Sequence, residues 1–164
     1  AGGCYKLYVS PLPRELSPAL ESIAASLHRH GATEFKVGAG STGLLRPDKL
    51  VAYFASFDLL AAAAADLERR LADRLAQGVP FTAPIDRAGL LSWGFDPPLE
   101  AQSALWRGRE SWRFWICNRL ARALLDAHRD GAAVPGRFAL TRLGLEGVET
   151  ATWTPGSLRR EGAA

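Results

Sequence analysis

The sequence predicts an α+β fold. We expect a four-stranded, mainly antiparallel sheet in the split βαβ order, β-α-β-β-α-β, with two helices on one face. A Trp-rich helix and a C-terminal β-hairpin are expected to follow. Three observations carry this. Short stretches near residues 5, 35 and 50 alternate apolar and polar side chains with the period of a half-buried strand. Two segments between them have helical spacing or strong helix propensity. Proline and glycine punctuate the joins.

Cys4 to Ser10, CYKLYVS, is the first strand: Tyr5, Leu7 and Val9 face one way, and Lys6, Tyr8 and Ser10 the other. Pro11 and Pro13 end it. Ser17-Pro18 is expected to open a helix, with Ser17 as N-cap and Pro18 at N1. Leu20, Ile23, Ala24 and Leu27 form its apolar stripe, and Gly31 closes it. His28 and His30 sit near its C-terminus, where the helix dipole favours a cation.

A second strand runs from about Thr33 to Gly38, with Phe35 and Val37 on the core face and Lys36 opposite. The loop Ala39 to Asp48 contains Gly40 and Gly43 but lacks the ending of a phosphate loop. Pro47 biases Arg46 toward an extended backbone. The third strand, Lys49 to Phe54, sends Leu50, Ala52 and Phe54 into the core and Lys49, Val51 and Tyr53 to the other face. Ser56 or Asp58 caps an alanine-rich helix of about 18–20 residues ending at Gly78. Asp66, Glu68, Arg69, Arg70, Asp73 and Arg74 read as a solvated face laced with charge pairs. Val79 to Ala88 reads as loop or edge. Leu90 to Phe95, with Ser92 opposite Trp93, is the fourth strand.

From Leu99 a helical and hairpin extension (99–164) follows the core (4–96), within a single domain of 1–164. Trp106 to His128 reads as one long helix whose Trp stripe packs into a core or between lobes. Arg137 to Leu143 and Val148 to Trp153 are expected to pair as the hairpin, and Gly156 to Ala164 to fray.

Composition bounds the function. The chain has 164 residues, 48% of them hydrophobic and 23% charged, which suits one globular domain. Net charge is +3, from 20 basic and 17 acidic side chains, short of a nucleic-acid signature. No apolar run is long enough to span a membrane. The two cysteines, Cys4 and Cys117, cannot by themselves make a disulfide framework or a metal site. No metal or other cofactor is expected, and a cytoplasmic location is the default, a secreted effector the alternative. The absence of methionine suggests a processed chain or a piece of a longer one, with Ala1 to Gly3 as a leader.

With both helices on the Leu7, Val9, Phe35, Val37, Ala52 and Phe54 face, the reverse face is expected to be open. It would collect Lys6, Tyr8, Lys36, Tyr53 and Ser92, with Arg46 at its rim and no acids among them. Such a face suits an anion, and phosphate best. Crowding of Lys6 and Lys36 is expected to lower the pKa of one of them, and a neutral lysine is a usable base.

YKLYVS, FKVG, GLLRPDKLVAYF and a strand ending SWGF together resemble the phosphothreonine lyase fold. That family includes type III secretion effector lyases, the lyase domain of class III lanthipeptide synthetases, and effector-like lyases of related peptide-modifying clusters. The resemblance covers about residues 4–96. It implies β-elimination without metal: a phosphorylated Ser or Thr of a peptide becomes a dehydroamino acid plus phosphate. It further implies Lys36 as the base that removes the α-proton, with Arg46 and Tyr53 at the phosphate; from the strand sidedness alone, Lys49 and Ser92 are expected to line the substrate beside them. Where the family commonly has a histidine as general acid, this chain has Tyr8, two residues after Lys6; either could donate that proton. Arginines expected near the fourth strand are represented only by Arg87, Arg107 or Arg113. The alternative is a catalytically inactive relative that binds a peptide or partner polypeptide, as part of a larger chain or complex. A small RNA-binding split-βαβ domain is a third reading, but the aromatic pair such domains stack bases on is missing from the central strands.

Overall fold

A computed structural model of the chain describes residues 4–97 and 110–156. The chain divides into two compact units, Ala1–Gly94 and Phe95–Ala164.

In the first unit β1 (Tyr5–Val9), β2 (Glu34–Val37), β3 (Leu50–Phe54), β4 (Ala83–Pro84) and β5 (Leu91–Phe95) form one sheet in the order β2-β3-β1-β5-β4. β3 runs antiparallel to both β1 and β2, and β4 antiparallel to β5. This is the split βαβ order, with β4 added as a short edge in the Pro-punctuated stretch. α1 (Pro13–Arg29) and α3 (Phe57–Arg70) supply the helical layer. Its core joins Leu7 and Val9 of β1, Leu50, Ala52 and Phe54 of β3 and Leu91 of β5 to Ile23 and Leu27 of α1 and Leu60 and Leu67 of α3. The alternation therefore has the sidedness expected of it in β1 and β3.

Several elements differ from expectation. α1 begins at Pro13, after Leu12 as N-cap, and Pro18 lies inside it. The earlier start carries Leu16 into the core, and burying an apolar side chain of that size stabilises by about 1.5–3 kcal/mol. α3 is capped by Ser56 as expected but stops at Arg70. The residues beyond it pair with the end of β1 instead: Leu12 N–H donates to Leu75 O (2.7 Å) and Gln77 N–H to Ser10 O (2.8 Å). Inside the Ala39–Asp48 loop lies a one-turn helix, α2 (Gly40–Leu44). Phe35 is 41% exposed, because β2 is the outer strand and lies beyond the helical cover.

Gly38 and Gly43 bring β2 and α2 into backbone contact. A Cβ on Gly38 would lie 2.4 Å from Gly43 O, closer than any side chain can sit. Gly38→Ala is expected to displace this loop and cost about 1–3 kcal/mol, as overpacking does, which denaturant unfolding would measure.

Asp66 is buried, where the sequence suggested a solvated charge face. Its carboxylate accepts from Ser26 Oγ (2.8 Å), Arg29 Nη1 (3.2 Å), Arg69 Nη2 (3.1 Å) and Arg70 Nε (2.8 Å), with His30 Nε2 at 3.6 Å. It thereby ties α1 to α3. Arg70 and then Ser26 hold its pKa well below the usual carboxylate range. A carboxylate depressed in the folded state stabilises above its unfolded pKa, about 4, and loses that contribution as pH falls toward the folded value. Melting temperature is thus expected to drop steeply in acid, with Asp66→Asn less stable at neutral pH and flatter below pH of about 4.

In the second unit α4 (Trp112–Arg129) and α5 (Pro135–Leu145) are followed by a hairpin of β6 (Val148–Glu149) and β7 (Thr154–Pro155). Ser111 caps α4, accepting from Phe114 N–H (3.4 Å). The expected start at Trp106 falls within residues 98–109, which, Arg107 included, lie outside the described residues, as do 1–3 and 157–164. Arg137–Leu143, expected as a strand, is helix. Pro135 is placed to start it, and Ala139 and Leu143, one turn apart, are its buried positions. The Trp stripe is core: Trp112 and Trp115 are buried and stacked at 5.1 Å, and Arg119 lies 3.7 Å over the Trp115 ring.

Candidate functional site

The register fixes which side chains share the reverse face. Lys6 is opposite Tyr53, which is opposite Glu34; Tyr8 is opposite Val51, which is opposite Lys36. Cross-strand partners point to the same side of a sheet. The Tyr53 ring lies between the two lysines, with Lys6 Nζ 5.6 Å and Lys36 Nζ 5.0 Å from its centroid. The structure thus brings together Lys6, Lys36 and Tyr53.

The face is not uniformly open. Lys6 and Tyr8 are buried, at 8% and 4% exposure, while the Lys36 side chain is 66% exposed. Ser92 is buried and accepts from Thr82 Oγ1 (2.8 Å). Nor is the face free of acids. Glu34, two residues before Lys36 and so on the same side, places Oε1 3.5 Å from Lys36 Nζ. The expectation of a lowered lysine pKa fails for Lys36 in consequence. Tyr53 first, and Glu34 after it, raise its pKa, and these outweigh the small desolvation.

Arg46 is turned to a neighbour. Its guanidinium forks onto Asp48, Nε to Oδ1 and Nη2 to Oδ2, each 2.9 Å, and Asp48 raises its pKa. A bidentate carboxylate occupies the geometry a phosphate would take. Lys49 is engaged inside the fold. It precedes β3, is 1% exposed, and donates from Nζ to Pro11 O (2.8 Å) and Gln77 Oε1 (2.5 Å). Burial lowers its pKa. These bonds tie the start of α1 and the Leu75–Gln77 segment to β3, so Lys49 is a structural lysine.

A separate cleft of about 470 Å³ lies beside α3, lined by Glu68, Leu71, Arg74, Ile85, Asp86 and Arg87 among others. Arg87 faces this cleft. Arg74 Nη1 donates to Glu15 Oε2 (2.9 Å), and Asp86 accepts from the Leu90 and Leu91 N–H groups. Arg113 belongs to α4, in the second unit. Among the described residues no group of three or more His, Cys, Asp or Glu side chains converges as metal ligands, and no helix is long and apolar enough to cross a membrane.

Two ammonium groups flanking a phenol can bind an oxyanion and move a proton at short range. No family model and no curated protein matches the chain.

Proposed function

We propose that the protein is a phosphoserine/phosphothreonine lyase acting on a peptide. The observation that carries this reading is the convergence of Lys6 and Lys36 on Tyr53, in register on one sheet face. A phosphate calls for a cation, and with Lys36 acting as the neutral base Lys6 is the one that would meet it. The elimination needs one amine in its neutral form. That amine takes the α-proton of the phosphorylated residue, the C–H electron pair becomes the new C=C bond, and the Cβ–O bond breaks with its electrons going to phosphate. Lys36 is the base in this reading, and Lys6 or Tyr8 protonates the departing group. No water is consumed and no metal or other cofactor is required. The substrate side chain would enter from the exposed Lys36 side and displace Glu34 from it. A peptide kinase must make such a substrate, which fits a cytoplasmic protein or an effector delivered to a cytoplasm.

A second reading has one observation in its favour. Tyr53 and Glu34 keep Lys36 charged, and a charged lysine binds phosphate without eliminating it. The protein would then be a module that binds phosphorylated or acidic partner polypeptides. Incubation with a phosphoserine peptide separates the two. The lyase releases inorganic phosphate and leaves a peptide lighter by phosphoric acid. The module binds the peptide and returns it with its mass unchanged.

A further inference from the structure

We infer that the free edge of β2 is a self-complementary surface on which a second copy of this chain docks, joining two sheets across a two-fold axis at Phe35. β2 ends the sheet. Gly38 N–H donates to Lys49 O (2.7 Å), so in the register with β3 the residues 34, 36 and 38 turn their backbone groups inward. The N–H and C=O of Phe35 and Val37 therefore point away from β3. At the other end Thr33 N–H and Oγ1 both donate to Tyr53 O (2.9 and 3.1 Å), closing the strand inward there. The available edge is short and centred on Phe35.

Charge selects the occupant. An antiparallel pair related by a two-fold axis sets residue i opposite residue j of the copy, with j opposite i. Centred on Lys36, the pairing would oppose Lys36 to itself; centred on Glu34, it would oppose Glu34 to itself. Centred on Phe35, it sets Glu34 of each copy across from Lys36 of the other, twice. Those are the non-hydrogen-bonded pairs, in which side chains lie closest. The two Phe35 residues meet on the opposite face and exchange both N–H···O bonds. Phe35 is 41% exposed, and the Lys36 and Glu34 side chains are 66% and 59% exposed, so all three are available. Within each chain Glu34 and Lys36 are only 3.5 Å apart, so docking exchanges two intrachain ion pairs, one per copy, for two crossed ones, and the charges set the register while the edge hydrogen bonds and the Phe35 contact hold the copies together. The interface is small, and the dimer is weak and concentration-dependent.

Sedimentation equilibrium of the whole chain over a wide concentration range tests this, with circular dichroism to check the fold of each variant. The wild type is expected to dimerise reversibly. Lys36→Glu and Glu34→Lys, each alone, should weaken self-association by roughly tenfold or more, since like charges then face each other. An equimolar mixture of these two variants, and the double swap Glu34→Lys/Lys36→Glu, should both recover it. A wild type that stays monomeric throughout, or a dimer indifferent to Lys36→Glu, would overturn the inference. Loss of dimer in the single variants without recovery in the mixture would overturn the register.

Discussion

Phe54→Ala is expected to destabilise the protein by about 3–5 kcal/mol, the range for emptying a buried aromatic site. Phe54 is fully buried in β3, among core residues contributed by β1, α1 and α3. Truncation removes apolar burial and leaves a cavity that two helices and a sheet cannot collapse to fill. For a first unit of this size that loss is a large fraction of the folding free energy. Phe35→Ala provides the internal comparison. Phe35 projects from the same side of the sheet, opposite Ala52, yet lies on the outer strand and is 41% exposed. Its truncation should cost under about 1 kcal/mol, nearer a surface substitution than a core one. Paired urea titrations check the contrast through the midpoints at unchanged slope.

Lys36→Ala is expected to lower phosphopeptide elimination by about 10²–10⁴-fold, the span general acid–base groups contribute. Folding should be unaffected, because the side chain is 66% exposed and its polar neighbours are the equally accessible Glu34 and the Tyr53 ring. The pH profile distinguishes a base from a phosphate ligand. Only neutral Lys36 accepts the α-proton, and its pKa is raised above the ordinary lysine value. The neutral fraction, and with it the rate, should therefore climb about tenfold per pH unit from neutrality to beyond about pH 9. Tyr53 is the largest cause of that rise. Tyr53→Phe should accordingly shift the limb to lower pH while weakening phosphate binding. A rate that is flat and then falls in alkali would identify Lys36 as a charged ligand and favour the binding module.

The period-2 pattern in CYKLYVS and DKLVAYF made the sheet, its core side and the shared face of Lys6, Lys36 and Tyr53 legible. It also places Glu34 on the Lys36 side, by the same two-residue step. What the pattern does not contain is position in the sheet. Phe35 and Phe54 alternate alike, and only the strand order, a long-range property, leaves one outside the helices. Nor does local pattern show that residues 75–77 pair with the end of β1, which shortens α3 and draws Lys49 inward to cap that segment. Asp66 fits a charged helix face equally well. Its burial depends on α1 bringing Ser26 and Arg29 to it, some forty residues away in sequence. Arg137–Leu143 is ambiguous at its own length, since Ala139 and Leu143 sit one turn apart while the flanking residues also alternate.

The proposed lyase and the binding module alike require a phosphorylated side chain to bind on the reverse face of β1, β3 and β2. Nuclear magnetic resonance of the labelled protein, titrated with a phosphoserine peptide and with its unphosphorylated twin, tests it most directly. Saturable shifts at Lys6, Lys36 and Tyr53 are expected with the phosphopeptide alone. Shifts confined to the Arg74 and Arg87 cleft, with Lys36 and Tyr53 unmoved, would contradict it.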